Sequence, residues 1–317
     1  MSLLPLNQTA ALDISPAPGD YAVKLLRDLG FNGFPFSTNR ASHPATRMVD
    51  SGFLALTGDG LGDPVICPVP LASCADDALT VFRALTGVPV LRGIEGAELL
   101  TERAAVMGLA RNGDQSTTGH CRLLATWDGT IGLNLARESD WELLPAWIEC
   151  AVERGDWSSL AAHLATVPSG AILGRGRELG LALADATIIP DALSHWMRTT
   201  SFAAAPLALR RRRPRVIDLS SLWAGPLCSR LWQAAGAEVV KVESTQRPDG
   251  ARSGSAAFFE RLNGGKVCVS LDLHTPEGQQ ALRELILGQI WFWRLPVQGP
   301  CARLASLPRT CSPSGPG

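Results

Sequence analysis

No stretch of the 317-residue sequence approaches the about 18 consecutive apolar residues that a membrane-spanning helix requires. The opening MSLLPLNQTAALDISPAPGD has neither the basic start nor the apolar run of a secretory leader, so a cytoplasmic protein is expected. The eight cysteines contain no Cys-x-x-Cys pair, which argues against a structural zinc site; no metal is expected and the thiols should be reduced and buried. The five histidines, His43, His120, His163, His195 and His274, share no motif spacing, and no Ser/His/Asp or Cys/His arrangement stands out. A net charge of −1 supplies no field to recruit nucleic acid or an acidic membrane, so neither is expected as a partner. No internal repeat is visible.

What is present is ordinary for a folded chain, with 46% apolar and 19% charged residues, enough for one large domain or two medium ones. Tyr21 to Leu29 reads as a short helix, and residues 46–110 read mostly as helix with breaks. Leu79, Phe82 and Leu85 form one apolar helical face, and Glu98 to Leu109 is a further amphipathic helix. Residues 121–135 alternate as a hairpin around Asp128-Gly129, followed by a helix capped by Ser139 or Asp140. Residues 158–205 are Ala-rich and read as helix. The basic run Arg210-Arg211-Arg212-Arg213-Pro214 reads as a solvated linker, with a domain boundary near residue 206.

Arg215 to Ser221 reads as a strand, Ser221 to Pro226 as a tight turn, and Leu227 to Ala235 as a helix with Pro226 at its first position and Gly236 as its C-terminal cap. Ala237 to Glu243 is a second strand, which makes a parallel strand–helix–strand unit. The turn at Ala224-Gly225 then lies at the carboxyl end of a strand, where open α/β sheets bind ligands and a helix N-terminus attracts phosphate. Glu243 could accept from a ribose hydroxyl. Only one glycine is available in S-S-L-W-A-G-P, so a G-x-G-x-x-G dinucleotide site is not supported. Asn263-Gly264-Gly265 is a turn, Lys266 enters the alternating strand Val267 to Leu273, and Thr275-Pro276 opens another helix. The fold class expected is α/β, an open parallel Rossmann-like βαβ unit in the C-terminal half with a mixed α+β N-terminal region.

The string V-I-D-L-S-S-L-W-A-G-P-L-C-S-R-L, then G-A-E-V-V-K-V-E, R-P-D-G-A-R, F-F-x-x-L-N-x-G-K and S-L-D-L with T-P-E-G covers Val216 to Gly278. In order and spacing it resembles the class III CoA-transferases, the family of formyl-CoA transferase, carnitine CoA-transferases and α-methylacyl-CoA racemase. The resemblance implies that the turn and the loop after the second strand receive the adenosine and phosphates of coenzyme A. Leu222, Trp223 and Ala224 match the turn residues, Lys266 the lysine of N-x-G-K, and Thr245 a position where family members can carry arginine. It also implies an acyl-CoA and a carboxylic acid as substrates and an interlocked homodimer.

More weakly, Ser51 to Gly58, Val69 to Asp77 and Arg122 to Pro145 resemble segments that follow the nucleotide-binding unit in the family, yet here they precede it. The chain thus resembles the back part of one copy (1–205) joined to the front part of another (206–287), as in fused two-copy members truncated at the C-terminus. Family enzymes attack the thioester with an aspartate, through an anhydride and an aspartyl-CoA thioester. In P-L-A-S-C-A-D-D that position holds Ser73, so no catalytic residue is assigned; Asp76 and Asp77 read as a helix start. The expected activity is CoA transfer in a chain that is weakly active or inactive. The alternatives are a CoA-binding remnant or partner subunit and, with less support, an NAD-dependent oxidoreductase.

After Leu287 the resemblance stops, and residues 288–317 carry no helix or strand period, so a poorly ordered tail with exposed Trp291 and Trp293 is expected. Read from the third nucleotide of the Gly288 codon, allowed codons give Ala-Asp-Leu-Val-Leu-Glu-Ala-Ser-Arg-Pro, which matches the family's next strand. A frameshift at Gly288 is the expectation. Sequencing the coding DNA through that codon should recover the strand by a one-base shift; if no such shift restores it, the frameshift is excluded.

Overall fold

Two sheets organise the described residues of the computed structural model, which are 19–31, 43–188, 214–287 and 291–293. In chain order the elements are α1 (Asp20–Asp28), α2 (Pro44–Asp50), α3 (Leu71–Thr86), α4 (Gly96–Met107), β1 (Cys121–Ala125), β2 (Thr130–Asn134), α5 (Glu138–Glu142), α6 (Leu144–Ile148), α7 (Trp157–Leu164), α8 (Ser169–Glu178) and β3 (Ala182–Asp185). They continue with β4 (Arg215–Asp218), α9 (Ala224–Ala234), β5 (Glu238–Ser244), α10 (Ala256–Asn263), β6 (Val267–Leu271), α11 (Pro276–Ile286) and β7 (Trp291–Trp293). The described residues fall into two compact units, one within Met1–Ala41, Cys74–Leu99 and Ser201–Gly317, the other within Ser42–Ser73 and Leu100–Thr200.

In the first unit, β6-β5-β4-β7 form a wholly parallel sheet. Both faces are covered, which is why β5 is buried along most of its length instead of alternating. Ile217, Val240 and Val242 pack with Leu282 of α11, whereas Val216, Val239 and Ala237 pack with Trp232 of α9. In the same unit Ala22 and Leu26 of α1 pack with Phe31 and with Val81 of α3.

In the second unit, the antiparallel sheet β1-β2-β3 is packed by helices around Leu124, Ile131, Leu133, Leu144, Leu160, Leu164 and Ile172. The Trp147 indole N–H donates to the Ile172 carbonyl at 2.9 Å, which satisfies the polar atom of a buried ring.

Several local expectations need correction. The hairpin closes around Trp127 and Asp128, one residue early, with the Thr126 N–H bonded to the Gly129 carbonyl at 2.9 Å. Asp128 is thus the second turn residue instead of the first, and its carboxylate accepts the Ser169 N–H at 2.7 Å. Arg137, not Ser139 or Asp140, is the residue that precedes α5; Asp140 caps from inside the helix by accepting the Arg137 N–H at 2.9 Å. β3 lies in a stretch read as helix, because Gly180 (φ +81°) ends α8 and pairing with β2 overrides the helical preference of Ala and Leu. Trp291–Trp293 is a strand paired with β4, against the expectation of no regular structure in that stretch. Three consecutive aromatic residues suit an extended chain, and the edge of β4 offers them backbone partners. The basic run Arg210–Arg213, the boundary near 206, the readings for 189–205, and the rest of 288–317 lie outside the described residues.

Candidate functional site

β4 and β5 run in register from Arg215↔Glu238 to Asp218↔Lys241, so Asp218 and Lys241 reach the carboxyl end of the sheet side by side. Charged side chains there are desolvated and must be met by partners. The Lys241 ammonium, with a wholly buried side chain, donates to Asp249 Oδ2 at 2.8 Å and to the Ser220 carbonyl at 3.0 Å. Asp249 Oδ1 in turn accepts the N–H groups of Leu222 and Ala251, each at 2.9 Å. Burial alone would raise the Asp249 carboxyl, but Lys241 and these two N–H groups outweigh it and hold it below the ordinary range. Glu243 accepts the Asp249 N–H at 2.8 Å and a two-pronged contact from Arg252, with distances of 2.6 Å and 3.0 Å; the arginine bonds are the main cause that lowers its carboxyl.

A second buried cluster joins it. Asp218 Oδ1 accepts the Ser220 N–H at 2.9 Å and the Ser220 hydroxyl, and Oδ2 accepts the Ser229 hydroxyl at 2.5 Å. The Lys266 ammonium donates to the Pro226 carbonyl (2.9 Å), Ser229 Oγ (2.8 Å) and Asn263 Oδ1 (3.0 Å), with Asp218 Oδ2 at 3.4 Å. Its burial lowers its pKa to about 8, against the opposing pull of Asp218. Burial, followed by the nearby Asp218 charge, raises the Cys228 thiol to about 11, so that thiol is a poor nucleophile.

Between the clusters lies the turn. Leu222 has φ +71°, a conformation that a bulky side chain rarely adopts, and its side chain is exposed. The Asp249 bond to its N–H holds it there. α9 begins at Ala224, two residues before the expected first position, so Pro226 occupies the third helical position instead of the first. Proline is tolerated because the first N–H groups of a helix have no partner inside it. In the first turn Ala224 is exposed and Gly225 is buried, and Pro226 has no N–H to add.

Of the residues singled out from sequence, Leu222 and Ala224 are exposed and Trp223 is half-buried, with its ring edge-on to Phe258 at 6.2 Å. Thr245, exposed, follows β5 at the same end of the sheet; its N–H bonds the Leu271 carbonyl at 3.0 Å. Lys266 is buried with its donors engaged internally, and reaching a phosphate would require it to leave them. Glu243, expected as a ribose acceptor, is committed to Arg252 and Asp249. Ser73 is the third residue of α3 and half-buried. Asp76 accepts the Ala97 N–H at 2.8 Å, and Asp77 accepts those of Gly19 (3.0 Å) and Ala22 (3.1 Å), so both tie helix starts together. His43 caps α2 through Nδ1, and His195 lies outside the described residues.

Residues 214–288 match the profile described as CoA-transferase family III. A succinyl-CoA–D-citramalate CoA-transferase of Chloroflexus aurantiacus is 35% identical over 79 residues, covering 23% of this chain and 20% of the relative. A succinyl-CoA:mesaconate CoA-transferase of Haloarcula hispanica is 36% identical over 85 residues (23% and 21%), and a formyl-CoA:oxalate CoA-transferase of a Bradyrhizobium species 33% over 79 (23% and 19%). The chain spans about a fifth of the length of these curated relatives. Among solved structures, the hypothetical protein Rv3272 of Mycobacterium tuberculosis overlaps 50% of each chain at 18% identity and a TM-score of 0.35, too small an overlap to define a shared fold.

Asp249→Asn should destabilise the first unit by about 3–5 kcal/mol, because it leaves the Lys241 ammonium buried and unpaired; Lys241→Met with Asp249→Leu should recover much of that loss in denaturant titrations. The lowered carboxyls of Glu243 and Asp249 add stability above their ordinary values of 4.5 and 3.8 and lose it as pH falls through the lower folded values. Unfolding free energies measured from about pH 5 to about pH 3 should therefore fall, and fall less steeply in Glu243→Gln.

Proposed function

We propose, on the premise that residues 214–288 belong to CoA-transferase family III, that the turn Leu222–Ala224 receives coenzyme A or an acyl-CoA. The observation that carries this reading is the exposed, left-handed Leu222 turn, held by buried charges at the carboxyl end of a parallel sheet and at the N-terminus of α9. Strained backbone that its surroundings enforce concentrates at ligand sites. The N–H of exposed Ala224 and the helix dipole suit a phosphate. Thr245 stands where a family arginine could be, and exposed Arg247, whose N–H bonds the Ser244 carbonyl at 3.1 Å, supplies a cation in the same turn. Lys266 acts on the ligand indirectly, through Pro226 and Asn263.

In this reading β4-α9-β5 is the Rossmann-like front of a CoA-transferase copy, and residues 1–205 are the degenerate back part of another. Family chemistry would move CoA between an acyl-CoA and a carboxylic acid through an aspartyl intermediate, which divides one hard acyl transfer into easier steps. With Ser73 at the aspartate position and a frame change at Gly288, this chain binds CoA without turning it over, as a remnant or as the partner of a complete subunit in the cytoplasm.

CoA at about 100 times its dissociation constant should add about 2.7 kcal/mol of stability, and NAD should add none; the reverse result would overturn the assignment in favour of a dinucleotide site. Arg247→Ala should weaken CoA about tenfold, or about 1.4 kcal/mol, with a shallower salt dependence in calorimetric titrations. Assays with succinyl-CoA and formyl-CoA should give no transfer. Clear turnover that survives Ser73→Ala would sink the claim that no nucleophile remains.

A further inference from the structure

A cleft of about 360 Å³ opens in the second unit between the β1–β2 hairpin and the starts of α5 and α7. Its lining includes Leu135, Trp141 and Trp157 with three arginines, Arg122, Arg137 and Arg154, and no carboxylate. An apolar wall with a few convergent polar groups, at this volume, is the usual form of a small-ligand site.

The arginines are not equivalent. Arg154 is paired with Glu138 at 2.6 Å and Arg137 with Asp140 at 3.4 Å. Arg122 has no carboxylate within ion-pair distance among the described residues. Its Nε donates to the Gly119 carbonyl at 3.5 Å, a long bond, and its guanidinium lies 4.5 Å from the centre of the Trp157 ring. Trp157 is itself fixed edge-on against Trp141 at 5.1 Å, with both rings at the margin of the core. The guanidinium is thus half-buried, oriented by an aromatic face, and left with donors to spare.

We infer that this cleft binds a small organic monocarboxylate, with its charge on Arg122 and its apolar part against Leu135 and Trp141. One uncompensated positive charge matches a monoanion better than a phosphate dianion, and the apolar lining selects a ligand with a hydrocarbon body. Every named residue belongs to the second unit, and the site does not depend on coenzyme A binding at Leu222.

The full-length chain is titrated calorimetrically with butyrate, butyramide and inorganic phosphate. Butyrate should bind saturably and at least tenfold more tightly than either of the others. Arg122→Gln should weaken butyrate at least tenfold. Arg122→Lys keeps the charge beside Trp157 but loses the guanidinium fork, and should weaken it several-fold while the thermal midpoint stays near that of the parent. No saturable butyrate binding, equal binding of butyramide, tighter binding of phosphate, or an affinity unchanged in Arg122→Lys would each overturn the inference. The Lys variant decides the matter if Arg122→Gln fails to fold.

Discussion

The Lys241 ammonium sits on a central strand with no exposure, where an unpaired cation could not remain, and Asp249 and the Ser220 carbonyl are what make that position tenable. Much of the surrounding geometry follows. Once Asp249 Oδ2 is committed to Lys241, Oδ1 is aimed at the N–H groups of Leu222 and Ala251, and Leu222 is drawn into a left-handed conformation that its own side chain opposes. Asp218 fixes Ser220 from the other side, and Lys266 ties Asp218 to the Pro226 carbonyl in the first turn of α9. The turn is thus held from two buried carboxylates at once, which gives an exposed loop the rigidity of a core.

Much of the sheet was legible in the sequence. The apolar runs of Val216–Ile217 and Val239–Val242 announce strands covered on both faces, and Gly236, at φ +95°, ends the helix between them as its position suggests. The start of α9 is not fixed by its proline, because each of the first N–H groups of a helix lacks a partner inside it and proline fits any of those positions. β3 is not legible because Ala182-Leu-Ala has no strand preference of its own; its partner β2 decides it.

The polar framework of the site was the least legible part. A lysine within E-V-V-K-V-E and an aspartate after V-I are charges in strands that otherwise read as buried, and that conflict was the available signal. It could say that partners must exist but not which, because Lys266 lies far along the chain from Asp218, and Asp249, though near Lys241 in sequence, sits in a loop whose path the pattern does not give. The arginine cleft of the second unit was equally silent. Its one guanidinium without a carboxylate among the described residues emerges only after Arg137 and Arg154 are seen to have found carboxylates close by in the fold.

The pairing of Trp291–Trp293 with β4 has a bearing on how such a sheet survives sequence change. Ladder bonds join peptide groups and take no account of which side chain each residue carries. The edge of β4 therefore admits any short extended segment that can reach it, related to an original strand or not. A short segment of any sequence that can extend beside β4 covers that edge with its own backbone and keeps it from pairing with other molecules. Covering the sheet edge and furnishing the site with chemistry are therefore separate demands on the sequence.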